Sequence, residues 1–177
     1  MTDTQQLTAR LQRAWQGRIS GCMLGKAVET FSMRAGGDAL QKYLSDVNAL
    51  PLRDYIPYDP EHAPDLIDKR CCAGHLHQSW PDDDVNYSTL ALMMLEKFGS
   101  QLTTTDVART WMKYLPVAST FTAERAAYRT LLNKAHEWFP EGRDPGFDLL
   151  DCADNEFNDW IGAQIRADVY GLSLIHI

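Results

Sequence analysis

Apolar residues recur at helical spacing along most of this chain, and this periodicity constrains its fold more than any other feature. The segments that begin near Leu7, Tyr87, Thr103, Thr122 and Glu156 each place apolar side chains three or four residues apart. Threonines stand where two of these helices would begin, and glycine or proline follows the later segments. No segment shows a convincing alternation of apolar and polar residues. The pattern therefore predicts an all-α protein.

The first predicted helix carries a stripe of glycines, because Gly17, Gly21 and Gly25 recur at every fourth residue. Each glycine inside a helix costs about 1 kcal/mol relative to alanine. Close packing of another helix against the stripe would offset that cost, and we favour it over direct ligand contact. The region from 35 to 81 is rich in proline and glycine, so we expect a loop-rich insertion with a short helix over 38–44.

Composition and charge limit the function classes. With 177 residues and 45% hydrophobic content, the chain can bury one sizeable core. A net charge of −7 without a Lys/Arg stripe argues against nucleic-acid binding. We find neither a leader-like N-terminus nor an apolar run of membrane-spanning length, so we expect a cytoplasmic protein that does not bind membranes. The oligomeric state is not readable.

Two thiols and two imidazoles lie close together in the sequence, at Cys71, Cys72, His75 and His77. Structural zinc sites usually take their ligands as two separated pairs, and no second pair follows here. We therefore interpret the cysteines as core thiols and the histidines as loop residues rather than as zinc ligands.

Three consecutive carboxylates, Asp82, Asp83 and Asp84, precede the helical pattern that starts at Tyr87. Capping of the first turn explains one or two acids there, and a solvated helix start is the simpler interpretation of all three. The alternative is a site for a hard cation. Mg²⁺ prefers carboxylate and hydroxyl oxygens, so clustered acids suit it better than they suit zinc.

Three separated segments, in this order and approximate spacing, together resemble the ADP-ribosylglycohydrolase family. The glycine-rich stretch 18–29, which ends in Gly-Lys-x-x-Glu, is similar to the family's opening helix. The acidic triplet with its following helix resembles the first metal motif, usually Thr-Asp-Asp. Residues 155–168 are similar to a loop and helix beside the ADP-ribose pocket.

The resemblance implies an all-α, multi-helix orthogonal bundle that hydrolyses the bond between ADP-ribose, or a related ribosyl group, and a protein side chain or small molecule. It implies two Mg²⁺ ions, with Mn²⁺ as a possible replacement. Asp82 takes the place of the motif's threonine, and Asp83 and Asp84 take the place of its aspartates. All three are then metal ligands. Further candidates for catalysis or substrate positioning are Glu29, Asn155, Glu156 and Gly162.

The family also carries a second acidic motif further downstream, and residues 1–177 contain none. We therefore interpret 1–172 as the N-terminal part of a single domain that is incomplete at the C-terminus, and 173–177 as an unrelated tail. Two alternatives to an active hydrolase remain open at this point. One is a non-catalytic binding or structural protein on the same helices, and the other is an inactive fragment without the second motif.

Overall fold

The computed structural model describes the backbone of residues 3–135 and 142–174, and the side chains of these ranges up to 171. It contains the α-helices α1 (Asp3–Lys26), α2 (Glu29–Ala35), α3 (Gly37–Asp46), α4 (Asp83–Phe98), α5 (Thr104–Tyr114), α6 (Thr122–Lys134) and α7 (Gly162–Leu174). Within the described ranges there is no β-strand, which confirms the all-α prediction. Short 3₁₀ segments lie at Lys69–Cys71, Gly99–Gln101, Val117–Ser119 and Leu149–Ala153.

The chain forms two compact units, residues 1–82 and 83–177, and each has a core of its own. The first unit packs α1, α2 and α3 with the loop-rich stretch that the prolines predict. Met23 on α1 is 1% exposed, and the rings of Phe31 and Tyr43 meet edge to face with centroids 6.4 Å apart. The short helix expected over 38–44 is α3, which extends slightly further at both ends.

The adjacent thiols of Cys71 and Cys72 are completely buried in this core. Burial in apolar surroundings disfavours the thiolate and raises the pKa of Cys72 to about 11. The interpretation of these cysteines as core thiols is confirmed.

The prediction for the glycine stripe of α1 is wrong. A Cβ atom built at Gly17, Gly21 or Gly25 would have no neighbouring atom within 4 Å among the described residues, and all three glycines are exposed. The buried residue of α1 is Met23, which lies on the other side of the helix, and the buried Ala27 follows directly after the end of α1. Glycine periodicity alone did not distinguish close packing from a solvated face.

The second unit packs α4 against α5 and α7, and α6 against the 3₁₀ segment at Leu149–Ala153. Tyr87 and Tyr128 lie in its core. The Tyr128 hydroxyl donates to the carbonyls of Trp111 at 3.0 Å and Leu115 at 2.8 Å, so this ring fastens α6 to the end of α5. None of the helices among the described residues combines the length and apolar character that crossing a bilayer requires.

Helix beginnings agree with the sequence at α5 and differ at α6. Thr103 caps α5 with a complete capping box, in which its side chain and that of Asp106 satisfy each other's backbone amides. At α6 the N-cap is Phe121, and Thr122 is already the first helical residue. Helix α6 runs as far as Lys134, and residues 136–141 lie outside the described part of the chain.

The last helix begins at Gly162, six residues later than its apolar pattern predicts. Asn155 explains the delay, because its side-chain oxygen accepts the amide of Phe157 at 2.9 Å and its side-chain nitrogen donates to Cys152 O at 3.1 Å. These bonds hold 155–161 in turns, as asparagine side chains commonly do. Helix α7 runs on to Leu174, and residues 175–177 of the predicted tail lie outside the described residues.

Candidate functional site

The acidic triplet lies at the start of α4, as the sequence predicts. Asp82 is the last residue of the first unit, and Asp83 and Asp84 are the first two residues of α4. All three are partly buried rather than fully solvated. The positive end of the α4 dipole favours carboxylates at these positions, so the helix itself stabilises part of their charge.

Within the first unit, Asp82 already holds a cation. Lys26, the last residue of α1, places Nζ 2.7 Å from Asp82 Oδ2, and the two side chains are 21% and 8% exposed. Burial alone would lower the pKa of Lys26, but the hydrogen bond and charge of Asp82, with the charge of Glu29, raise it above its usual value. A carboxylate oxygen of Asp82 also lies within 4.8 Å of Cys22 Sγ.

Glu29 is the first residue of α2 and is exposed. Its charge acts on the same ammonium that pairs with Asp82, so Lys26 lies under the influence of both predicted site acids of the first unit. The backbone carbonyl of Glu29 accepts the Ser32 hydroxyl at 3.0 Å, which is a local bond within α2.

The second unit contains a cavity of about 580 Å³. This volume falls in the range of pockets that bind small molecules and cofactors. Its lining includes the aromatic rings of Trp111 and Phe147 and the charged side chains of Glu124 and Arg166. Of the residues that the sequence predicts for substrate binding, Asn155 lines this cavity, whereas Glu156 is exposed and is not part of its wall.

Glu124 and Arg166 form an ion pair in the cavity wall that sequence reasoning missed. Glu124 in the first turn of α6 is 5% exposed, and its Oε1 pairs with Nη1 of Arg166 on α7. The Arg166 guanidinium carbon lies 5.9 Å from the centre of the Tyr87 ring and 6.0 Å from that of Trp111. Burial lowers the pKa of Arg166 from its usual value. An acid in a first helical turn is typical of dipole stabilisation, so Glu124 gave no separate signal.

Gly162 has a definite role beside this pair. A Cβ atom at Gly162 would lie 2.6 Å from Glu124 Oε1 and 3.3 Å from Arg166 Nη1. The absence of a side chain therefore lets the carboxylate reach the guanidinium. Gly162 leaves the space that the ion pair of the cavity wall occupies. The substrate contact of Gly162 that the sequence suggested stays a prediction.

Comparison of this chain with models of protein families, with curated proteins and with solved structures gives no match.

Proposed function

We propose that this chain carries the first metal motif and part of the substrate pocket of a metal-dependent hydrolase. Its reaction removes ADP-ribose, or a related ribosyl group, from a protein side chain or small molecule. The observation that supports it most is the position of three consecutive carboxylates, all partly buried, at the start of α4. The cavity of the second unit, lined by Asn155 and Arg166, supports a small-molecule substrate.

The donor set of the triplet fits Mg²⁺, because three consecutive acids supply only carboxylate oxygens. Asp83 and Asp84 would hold the ion, and Asp82 would join them when its ammonium partner moves aside. Bound Mg²⁺ supplies a water of lowered pKa at such a site, and Mn²⁺ can replace it. The second acidic motif that the family resemblance implies would complete the pair of ions.

Other steps of the reaction, namely proton transfer and substrate positioning, would fall to side chains of this chain. A carboxylate of Asp83 or Asp84 would accept a proton from the attacking water and return a proton to the leaving group as the anomeric bond breaks with oxocarbenium-like charge. Glu29 is the further candidate for proton transfer or substrate positioning. Asn155 and Gly162 shape the substrate side, the first through its turn and the second through the space it leaves for Glu124.

Release of free ADP-ribose tests this proposal. The protein is incubated with Mg²⁺ and with peptides that carry ADP-ribose on arginine or on serine, and the products are separated by chromatography. We expect the wild-type protein to release ADP-ribose. Chelation of Mg²⁺ should abolish this release, and so should Asp83→Asn and Asp84→Asn. Asp38→Asn changes an exposed acid in the first turn of α3 and serves as the matched control, which should retain the activity.

A non-catalytic binding protein on the same helices is the second candidate. The ion pair of Lys26 with Asp82 favours this candidate, because an ammonium that already neutralises Asp82 removes part of the need for a metal. ADP-ribose binding without any release, in the presence of Mg²⁺ and of each substrate, would support this second candidate and contradict the hydrolase.

A further inference from the structure

The Arg166 guanidinium has hydrogen-bonding capacity left over in the cavity of the second unit. A guanidinium carries five N–H donors, and a carboxylate accepts at most two of them in a bidentate pair. Glu124 is its hydrogen-bond partner among the described residues. Because the Arg166 side chain is 26% exposed and lines the cavity, its remaining donors are available to a molecule inside it.

We propose that Arg166 donates to an anionic oxygen of the cavity's ligand, from a phosphate or a carboxylate group, and that Glu124 is its positioning residue. The identity of that ligand rests on the proposed function, since ADP-ribose carries a diphosphate. Glu124 pairs with one nitrogen of the guanidinium, and the guanidinium carbon lies over the rings of Tyr87 and Trp111. The guanidinium is thereby fixed in direction before the ligand arrives, which lowers the entropy cost of binding.

The surroundings of Arg166 also favour an anion. Residues of the first turns of α5 and α6 line the same cavity, namely Thr104 and Thr105 on α5 and Ala123 and Glu124 on α6. The amides of a first helical turn carry partial positive charge, so two helices contribute in the same sense as Arg166.

Besides Glu124, which pairs with Arg166, two acids of the lining oppose an anion, and their placement weakens that opposition. Asp144 and Asp148 are exposed, where water and salt screen their charges. Each also accepts a backbone amide with Oδ1, from Gly146 at 2.7 Å and from Leu150 at 2.9 Å. These acids organise the turns of the cavity rim, whereas Arg166 is the partly buried cation of the wall.

Calorimetric titration of three probes separates this role from a purely structural one. ADP-ribose and pyrophosphate carry the anionic oxygens, and adenosine carries none. The test variant is the double change Glu124→Gln with Arg166→Gln, which removes both charges and leaves neither buried alone. We expect its affinity for ADP-ribose and pyrophosphate to fall about tenfold or more, the size of a lost charge-assisted hydrogen bond, while its affinity for adenosine stays unchanged.

Gly162→Ala tests the positioning role without altering either charged residue. The new Cβ displaces the Glu124 carboxylate, so the affinity for ADP-ribose should fall while that for adenosine persists. In the double variant the same substitution should cause no further fall, because the ion pair is already gone. An unchanged affinity of Gly162→Ala for ADP-ribose would contradict the role of Glu124.

The outcomes also distinguish this inference from the proposed function. If the double variant binds ADP-ribose as the wild-type protein does, or loses adenosine equally, Arg166 is not the donor. If the wild-type protein binds pyrophosphate through Arg166 but not ADP-ribose, the inference stands and the proposed substrate is wrong. Binding of neither anion by the wild-type protein would overturn both.

Discussion

Replacing Lys26 by methionine tests whether Asp82, the acid directly before α4, needs a cation as its partner. At 2.7 Å, two unit charges attract each other by about 6 kcal/mol at an effective dielectric constant of 20, and the loss of hydration offsets most of that attraction. Removing one partner of a buried pair costs about 3–5 kcal/mol, because the other charge stays buried. Lys26 is 21% exposed, so water replaces part of the ammonium, and we expect a loss of about 2–3 kcal/mol.

Urea denaturation without divalent ions measures this loss, and Lys42→Met is the matched control. Lys42 pairs with Asp46 at 2.6 Å in the same unit, but the two side chains are 75% and 36% exposed, so its removal should cost at most about 0.5 kcal/mol. The pKa of Lys26 is raised in the folded state. Its contribution to the free energy of unfolding is therefore complete below the ordinary pKa of 10.5, and it is lost as the pH rises through the folded pKa.

Saturating Mn²⁺ should then stabilise Lys26→Met more than the wild-type protein, since in the variant the ion does not have to displace an ammonium from Asp82. If Lys26→Met is as stable as the wild-type protein without divalent ions, the buried pair does not contribute as the geometry implies. Equal stabilisation of both proteins by Mn²⁺ would show that Lys26 and the ion do not compete.

Other predictions follow from single features of the two units. Tyr128→Phe removes the O–H that the Trp111 and Leu115 carbonyls share. The Trp111 carbonyl keeps the Leu115 amide at 2.9 Å but the Leu115 carbonyl loses this donor, so the free energy of unfolding should fall by about 1–3 kcal/mol in urea titrations. Gly21→Ala should raise it by up to about 1 kcal/mol, because its Cβ meets open space on a helix; destabilisation would mean that the face is packed. Cys72 should resist alkylation in the native state, as thiol mass labelling would show, given its pKa of about 11. Hydrogen bonds from Thr103 lower the pKa of Asp106. The ionised Asp106 should therefore stabilise the fold above pH 3.8, and this stabilisation should be lost as the pH falls through the folded pKa. The stabilisation should be smaller in Thr103→Ala.

The sequence predicted the helices well, because apolar periodicity and capping residues act locally. The capping box of α5 and the buried thiols of Cys71 and Cys72 were readable for that reason. The start of α7 was not, because the apolar pattern continues through turns that Asn155 organises. The glycine stripe failed because residue spacing gives a helical face and does not tell what covers it.

The site was predictable only in part. The three acids at the start of α4 are adjacent in the sequence, so their clustering could be seen directly. Lys26 lies 56 residues from Asp82, and Glu124 lies 42 residues from Arg166, so neither ion pair left a local signal. The assignment of Gly162 to substrate binding stays a prediction, and the space that it leaves beside Glu124 depends on a carboxylate that folding brings from α6.

Titration of Mn²⁺ into the metal-free protein, followed by calorimetry or by the paramagnetic resonance of the free ion, tests the central claim that the oxygens of Asp82, Asp83 and Asp84 bind a divalent ion. We expect saturable binding by the wild-type protein and by Asp38→Asn, and loss of that binding in Asp83→Asn. Absence of binding in all three proteins, or equal binding in all three, would contradict the account.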